Sequence, residues 1–237
     1  MPVAPRLYTA QLPNGCVAVM DTRTGRGRWH HLNATAARLW LPLAEGADLN
    51  DTADQVTAIF TSQGADHDTV RADLAALTRQ LREAGLLSAP AQPAPDAHIR
   101  HIRPTVAAAP LRLADRAAGI VGAATALVLL RCAPIRASIT VARWLGRLPV
   151  QVAEEEHADL LFLAVRRAAR WWPGRSACLE ESLGCYLAAL LRGHRVAWVI
   201  GARTAPAEAH AWTETENAVI GQEPVDRVWP YAPALRI

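Results

Sequence analysis

The sequence predicts an α+β protein of two domains, and three observations carry that prediction. A strand-turn-strand pattern opens the chain and is followed by three helical periodicities. A proline- and alanine-rich stretch then interrupts the apolar periodicity from Ser88 to Pro110. Beyond it a helical block gives way to closing strands. The 237 residues, 51% of them hydrophobic, suffice for two cores. The expected division is a winged-helix-like domain over 1–88, a linker over 89–110 and a second domain over 111–237.

Each element has its own signal. GCVAVMDTRTGRGRWHHLN places two strands around the turn Thr22-Arg23-Thr24-Gly25. Asn33 is placed to cap a first helix that stops before Gly46, and Asp48 or Asn50 starts a second that runs to Phe60. Asp66 caps a third, along which Val70, Leu74, Leu77 and Leu81 recur at helical spacing. In the second domain, Leu111 to Arg170 is helical, with breaks near Pro134 and Pro149. Ser176 is placed to cap a helix with the stripe Leu179, Leu183, Tyr186, Leu187 and Leu190, ending at Gly193. Strands are expected at Val196–Arg203 and His210–Thr215, and a third, AVIG, comes after the short turn Glu216-Asn217.

Composition removes several classes of function. The net charge is +3 and every one of the 25 basic residues is Arg, which is too mild a bias for a charge-driven nucleic-acid binder. The third helix carries Asp66, Asp68 and Asp73 against Arg71 and Arg79, a poor face for phosphates. The apolar run Ala117–Leu130, 14 residues long, is shorter than the roughly 18 to 20 that span a bilayer, so no membrane span is expected. Four cysteines without CxxC spacing, and no signal segment, suggest free thiols in a cytoplasmic setting. Neither Trp29-His30-His31 nor His98-x-x-His101 has the Cys or acidic partners of a metal site, and no cofactor is expected. Trp171-Trp172 reads equally as a cleft wall or as core packing.

The chemistry concentrates in two residues. Cys178 falls in the first turn of its helix, where unpaired N–H groups and the dipole lower a thiol pKa and can hold an oxyanion. Cys185, two turns on, has neither advantage. His210 opens a strand 32 positions after Cys178 and is placed to act as its base. Spacing alone favours the reading in which they are unrelated, since most cysteines are simply buried.

The surrounding residues narrow the choice. CLEESLGCYLAALLRGHRVAWVIGARTAPAEAHAWTE, Cys178 to Glu214, resembles the core of the transglutaminase-like leader peptidases of lasso peptide biosynthesis, and the later Trp-Pro-Tyr-Ala-Pro segment is similar too. The N-terminal DTRTGRGRWHHLNATAARLW and DTVRADLAALTRQLREAGLL resemble the PqqD-like precursor-recognition domain. The joint resemblance implies a papain/transglutaminase-like cysteine protease domain with Cys178 as nucleophile and His210 as general base and acid. It also implies a precursor peptide as partner, its leader added as a strand to the hairpin edge at Arg28, Trp29, His30, His31 and Leu32, with Val70, Leu74 and Leu77 in the groove. An ATP-dependent lasso macrolactam synthetase is the implied second partner, with Leu111–Leu148 as its docking region.

The chain departs from the family at the third catalytic position. The resemblance puts an Asp 12 positions after the His, where this sequence has Gln222, with Glu223 next to it. A two-residue loop at Glu216-Asn217 would pair His210 with Glu223, and a three-residue loop would bring Gln222 opposite. The first is the expectation, because a carboxylate stabilises an imidazolium better than an amide does. Two other readings stay open: a peptide-binding scaffold without activity, and a winged-helix DNA-binding regulator with an unrelated sensor.

Overall fold

The computed structural model describes residues 6–96, 101–104, 109–172, 177–222 and 230–237. It is a mixed α+β architecture, as the sequence predicts, in two halves.

The N-terminal half is a sheet of order β3-β2-β1-β4 with three helices on one face. Its strands are β1 (Leu7–Gln11), β2 (Val17–Asp21), β3 (Arg28–Leu32) and β4 (Ala91–Gln92). β1 lies ahead of the strands expected from the sequence and pairs with β2 through the tight Pro13–Gly15 turn. The helices are α1 (Ala34–Ala44), α2 (Leu49–Ser62) and α3 (His67–Glu83), capped by the side chains of Asn33, Asp48 and Asp66. Asp48, not Asn50, starts α2, because its carboxylate accepts from two amides, Asn50 and Asp51. Arg23 ties the β2–β3 turn to the end of α3 by donating to the carbonyls of Gly85 and Ala84.

Both faces of this sheet are apolar, and the alternation along its strands divides the side chains between them. Leu7, Val17 and Val19 face the helices, where Trp40 is fully buried and donates to the Leu86 carbonyl. Tyr8, Ala10, Ala18 and Met20 face the other way, into a core shared with the C-terminal half.

That half holds a sheet of order β11-β8-β9-β10-β5. Its strands are β5 (His101–Pro104), β8 (Ala197–Arg203), β9 (Glu208–Glu214), β10 (Ala218–Gln222) and β11 (Ala232–Arg236). Helices α4 (Leu113–Cys132), α5 (Ile135–Leu145), α6 (Glu155–Ala169) and α7 (Cys178–Leu191) surround it, and β6 (Gln151–Val152) pairs with β7 (His194–Arg195). The stretch expected as a linker therefore contributes two strands. β4 joins β1, and β5 joins β10, anchored on α6 by Arg103 to Glu155 at 2.9 Å and by Arg103 to the buried Asp159. No periodicity marks these strands because each is too short to show one.

At 20 residues α4 is longer than the apolar run inside it, and by length and composition it could cross a membrane. Its packing is that of a core helix. A Cβ at Gly119 would come within 2.6 Å of Ala164, and one at Gly122 within 2.5 Å of the Gly184 carbonyl. Its backbone therefore lies directly on α6 and α7, while Leu113, Ile120, Val121 and Val128 remain exposed.

Candidate functional site

The first part of the site is a groove of about 460 Å³ between the free edge of β3 and α3. Five of the eight residues expected there line it: His30, His31, Leu32, Leu74 and Leu77. The other three do not. Val70 packs into the core beneath the helices, Trp29 turns to the shared core on the opposite face of β3, and Arg28 is exposed on the strand outside the groove. Asp73, Gln80 and Ala84 add to the wall, and the three- and four-residue spacing of α3 is the signal that could have found them. His30 Nε2 is buried without a hydrogen-bond partner among the described residues. Burial first, then Arg28, push its pKa below the ordinary histidine value, so it is a neutral ring in the wall.

The second part is built where β10 parts from β9. Thr215 N–H donates to Ala218 O at 2.8 Å across the Glu216-Asn217 loop, which has two residues. The ladder runs back through Val219 opposite Glu214 and Ile220 opposite Thr213. Alternate residues of an antiparallel strand turn their amides the same way, so Thr215, Thr213 and Ala211 all direct N–H groups toward the β10 side. At Ala211 that group is directed at the sulfur of Cys178.

Gly221 explains the parting. Its φ of 70° is left-handed, and a Cβ there would lie 2.1 Å from the Phe162 ring. Between Val219 and Gln222, β10 carries one residue more than the facing stretch of β5, a bulge that reverses the parity of the residues beyond it. The loop length expected from the sequence is present. Glu223 and the Gln222 side chain lie outside the described residues, as does Ser176.

Cys178 is the first residue of α7, after Ala177 at the N-cap position. Alanine offers no side-chain acceptor. Glu180 instead reaches back to accept the Ala177 N–H at 3.2 Å. Burial pushes the Cys178 thiol up from its ordinary value, and Glu180 and Glu181 add to this, against the lowering effect of the Ala211 and Leu179 amides. A helix N-terminus by itself lowers a thiol pKa, but the desolvation of this half-buried sulfur outweighs it. Cys185 is fully buried and its thiol is pushed up to about 12, a core residue as expected.

His210 stands beside the sulfur's partner, Ala211. Its ring stacks on Trp212 at 6.0 Å and lies 5.2 Å from the Tyr231 ring. Tyr231 donates to Glu208 at 2.9 Å, carries the Arg203 guanidinium 4.9 Å from its ring, and is close enough to Cys178 to feel a thiolate there. Cys178, His210 and Tyr231 thus share one neighbourhood, and the sequence signal for Tyr231 is its place in the Trp-Pro-Tyr-Ala-Pro segment rather than any periodicity. Trp171 is 91% exposed and Trp172 lies under Arg131 at 5.0 Å, so neither is core packing.

Residues 16–87 match the family model for coenzyme PQQ synthesis protein D (PqqD), and residues 141–236 match that of the transglutaminase-like superfamily. No curated protein matches the chain. A solved structure titled "TbiB1 in Complex with the TbiA(beta) Leader Peptide" is similar at 27% identity, over 36% of this chain and 93% of that one, with a TM-score of 0.29.

Proposed function

We propose, for a chain that joins a PqqD-like domain to a transglutaminase-like domain, that it is a cysteine peptidase which holds the leader of a ribosomally made lasso precursor and cuts it from the core. The observation that carries this reading is the pairing of an open strand-edge groove with a helix-N-terminal cysteine grouped with a histidine. The leader adds a strand beside β3, so backbone amides supply affinity while Leu74 and Leu77 receive apolar side chains. Tethering raises the concentration of the leader-core junction at Cys178, and recognition need not reside in the cleft.

In the reaction, the Cys178 thiol passes its proton to His210 as the sulfur attacks the junction carbonyl. Amides at the start of α7 hold the oxyanion. His210 then protonates the departing amine, which frees the core's α-amino group. Water, deprotonated by His210, hydrolyses the thioester and releases the leader as a carboxylate. Gln222 orients the imidazole in this proposal, because one extra residue in β10 gives position 222, rather than 223, the parity of His210. An amide can serve there, as in Cys-His-Asn sites. The freed amine is the nucleophile that an ATP-dependent macrolactam synthetase uses next, and the exposed face of α4, Leu113, Ile120, Val121 and Val128, is its docking surface.

The test is incubation of the purified chain with its precursor, then mass spectrometry. Release of leader and intact core supports the reading, and an uncut but tightly bound precursor replaces it with the scaffold reading.

A further inference from the structure

The turn between β2 and β3 reaches across to the C-terminal half and to the helix that carries Cys178. Gly25 O accepts the Ile135 N–H at 2.9 Å, and Gly27 packs on Ile135, where an added Cβ would meet the side chain at 3.4 Å. Between those two glycines, Arg26 extends across the domain boundary and places Nη2 3.7 Å from Glu180 Oε1. The Glu180 side chain is only 5% exposed, and its other oxygen accepts the Ala177 N–H that begins α7. One carboxylate therefore joins the end of the recognition hairpin to the turn that presents the sulfur.

We propose that Arg26 is a positioning residue for Cys178: by neutralising Glu180 from the recognition domain, it couples the β3 edge to the reactivity of the thiol. The proposal rests on the peptidase reading for its biological meaning, but its geometry does not. Glu180 stands two residues from the sulfur, and an uncompensated buried charge there opposes formation of the thiolate. The other groups facing the thiol are fixed by separate elements. Glu181 is paired with Arg166 of α6 at 3.0 Å, His210 approaches from β9, and Tyr231 precedes β11. Arg26 is the basic group seen on Glu180 among the described residues, and it belongs to the other domain. Because β3 begins at Arg28, two residues on, a peptide strand laid along β3 reaches the same turn.

The test uses the full chain and three variants: Arg26→Gln, Glu180→Gln and the double variant. Gln at 180 keeps an acceptor for Ala177 while removing the charge. The rate of Cys178 alkylation by iodoacetamide is measured against pH, with Cys178→Ala subtracted for the other thiols. Arg26→Gln should raise the midpoint by about half a pH unit, the scale of a partly exposed pair, and the double variant should match Glu180→Gln alone. In the cleavage assay Arg26→Gln should lower kcat about two- to fivefold with KM unchanged, and Arg26→Lys should restore it. Leader affinity, read by fluorescence anisotropy, should not move. An unchanged alkylation midpoint in Arg26→Gln overturns the coupling, and so does a shift that persists in the Glu180→Gln background. Absence of cleavage by the unaltered chain, with the alkylation shift present, would remove the peptidase reading and leave the coupling standing.

Discussion

The groove beside β3 and the cluster around Cys178 are built in opposite ways. The groove comes from local sequence: β3 and α3 are regular elements, and their lining residues recur at the spacing of a strand and a helix. The cysteine cluster comes from irregularities, the start of α7, a bulge at Gly221 and a tyrosine ahead of β11, drawn from residues 178 to 231. A binding edge needs exposed backbone and apolar pockets, which regular elements supply. A nucleophile needs donors aimed at one atom, and a strand can free such a donor only where its ladder stops.

Substitutions should separate the two regions. The largest effect is expected for Cys178→Ala, which should reduce precursor cleavage about a thousandfold or more, as loss of a nucleophile does, while anisotropy shows the leader bound as before. Weakened leader binding in that variant would join what the comparison separates. Next, Gln222→Ala should slow cleavage about tenfold, the low end of general acid-base effects, and more than Glu223→Ala does. Single-turnover rates decide the order, and the reverse would mean that Glu223 holds the histidine. On the other side of the comparison, Leu77→Asp places a charge in the groove and should weaken leader affinity roughly tenfold without altering alkylation of Cys178. The smallest functional effect is expected for Cys185→Ala, whose sulfur lies in the core: thermal melting should register the lost packing, about 1 kcal/mol, while the chemical step per folded molecule is kept.

The same contrast decides how much was legible in the sequence. The side-chain caps at Asn33, Asp48 and Asp66 and the stripe of α3 were readable because cap and periodicity are local rules. The two-residue loop at Glu216-Asn217 was readable as well. The bulge five residues after Glu216 was not, because Gly221 is required by Phe162 of α6, a contact that no local pattern announces. The raised pKa of the Cys178 thiol was hidden for the same reason: the Ala211 amide that lowers it and the burial that raises it both depend on tertiary packing. β4 and β5 leave no mark in the sequence because a strand of two or four residues borrows its structure from the strand it joins.

The sheet of the N-terminal half, with apolar side chains on both faces, has a consequence for how the two halves live together. Cut after β4, the N-terminal half would carry Tyr8, Ala10, Ala18 and Met20 into water as a bare greasy plane, and the C-terminal half would lose the cover over Leu235 and Ile135. Neither piece is then expected to be well behaved in solution by itself. The chain should melt in one transition rather than two, since the interior of each half is finished by the other. A natural system that encodes such halves as separate polypeptides would have to recolour this plane with polar residues, or keep the two products together from synthesis onward.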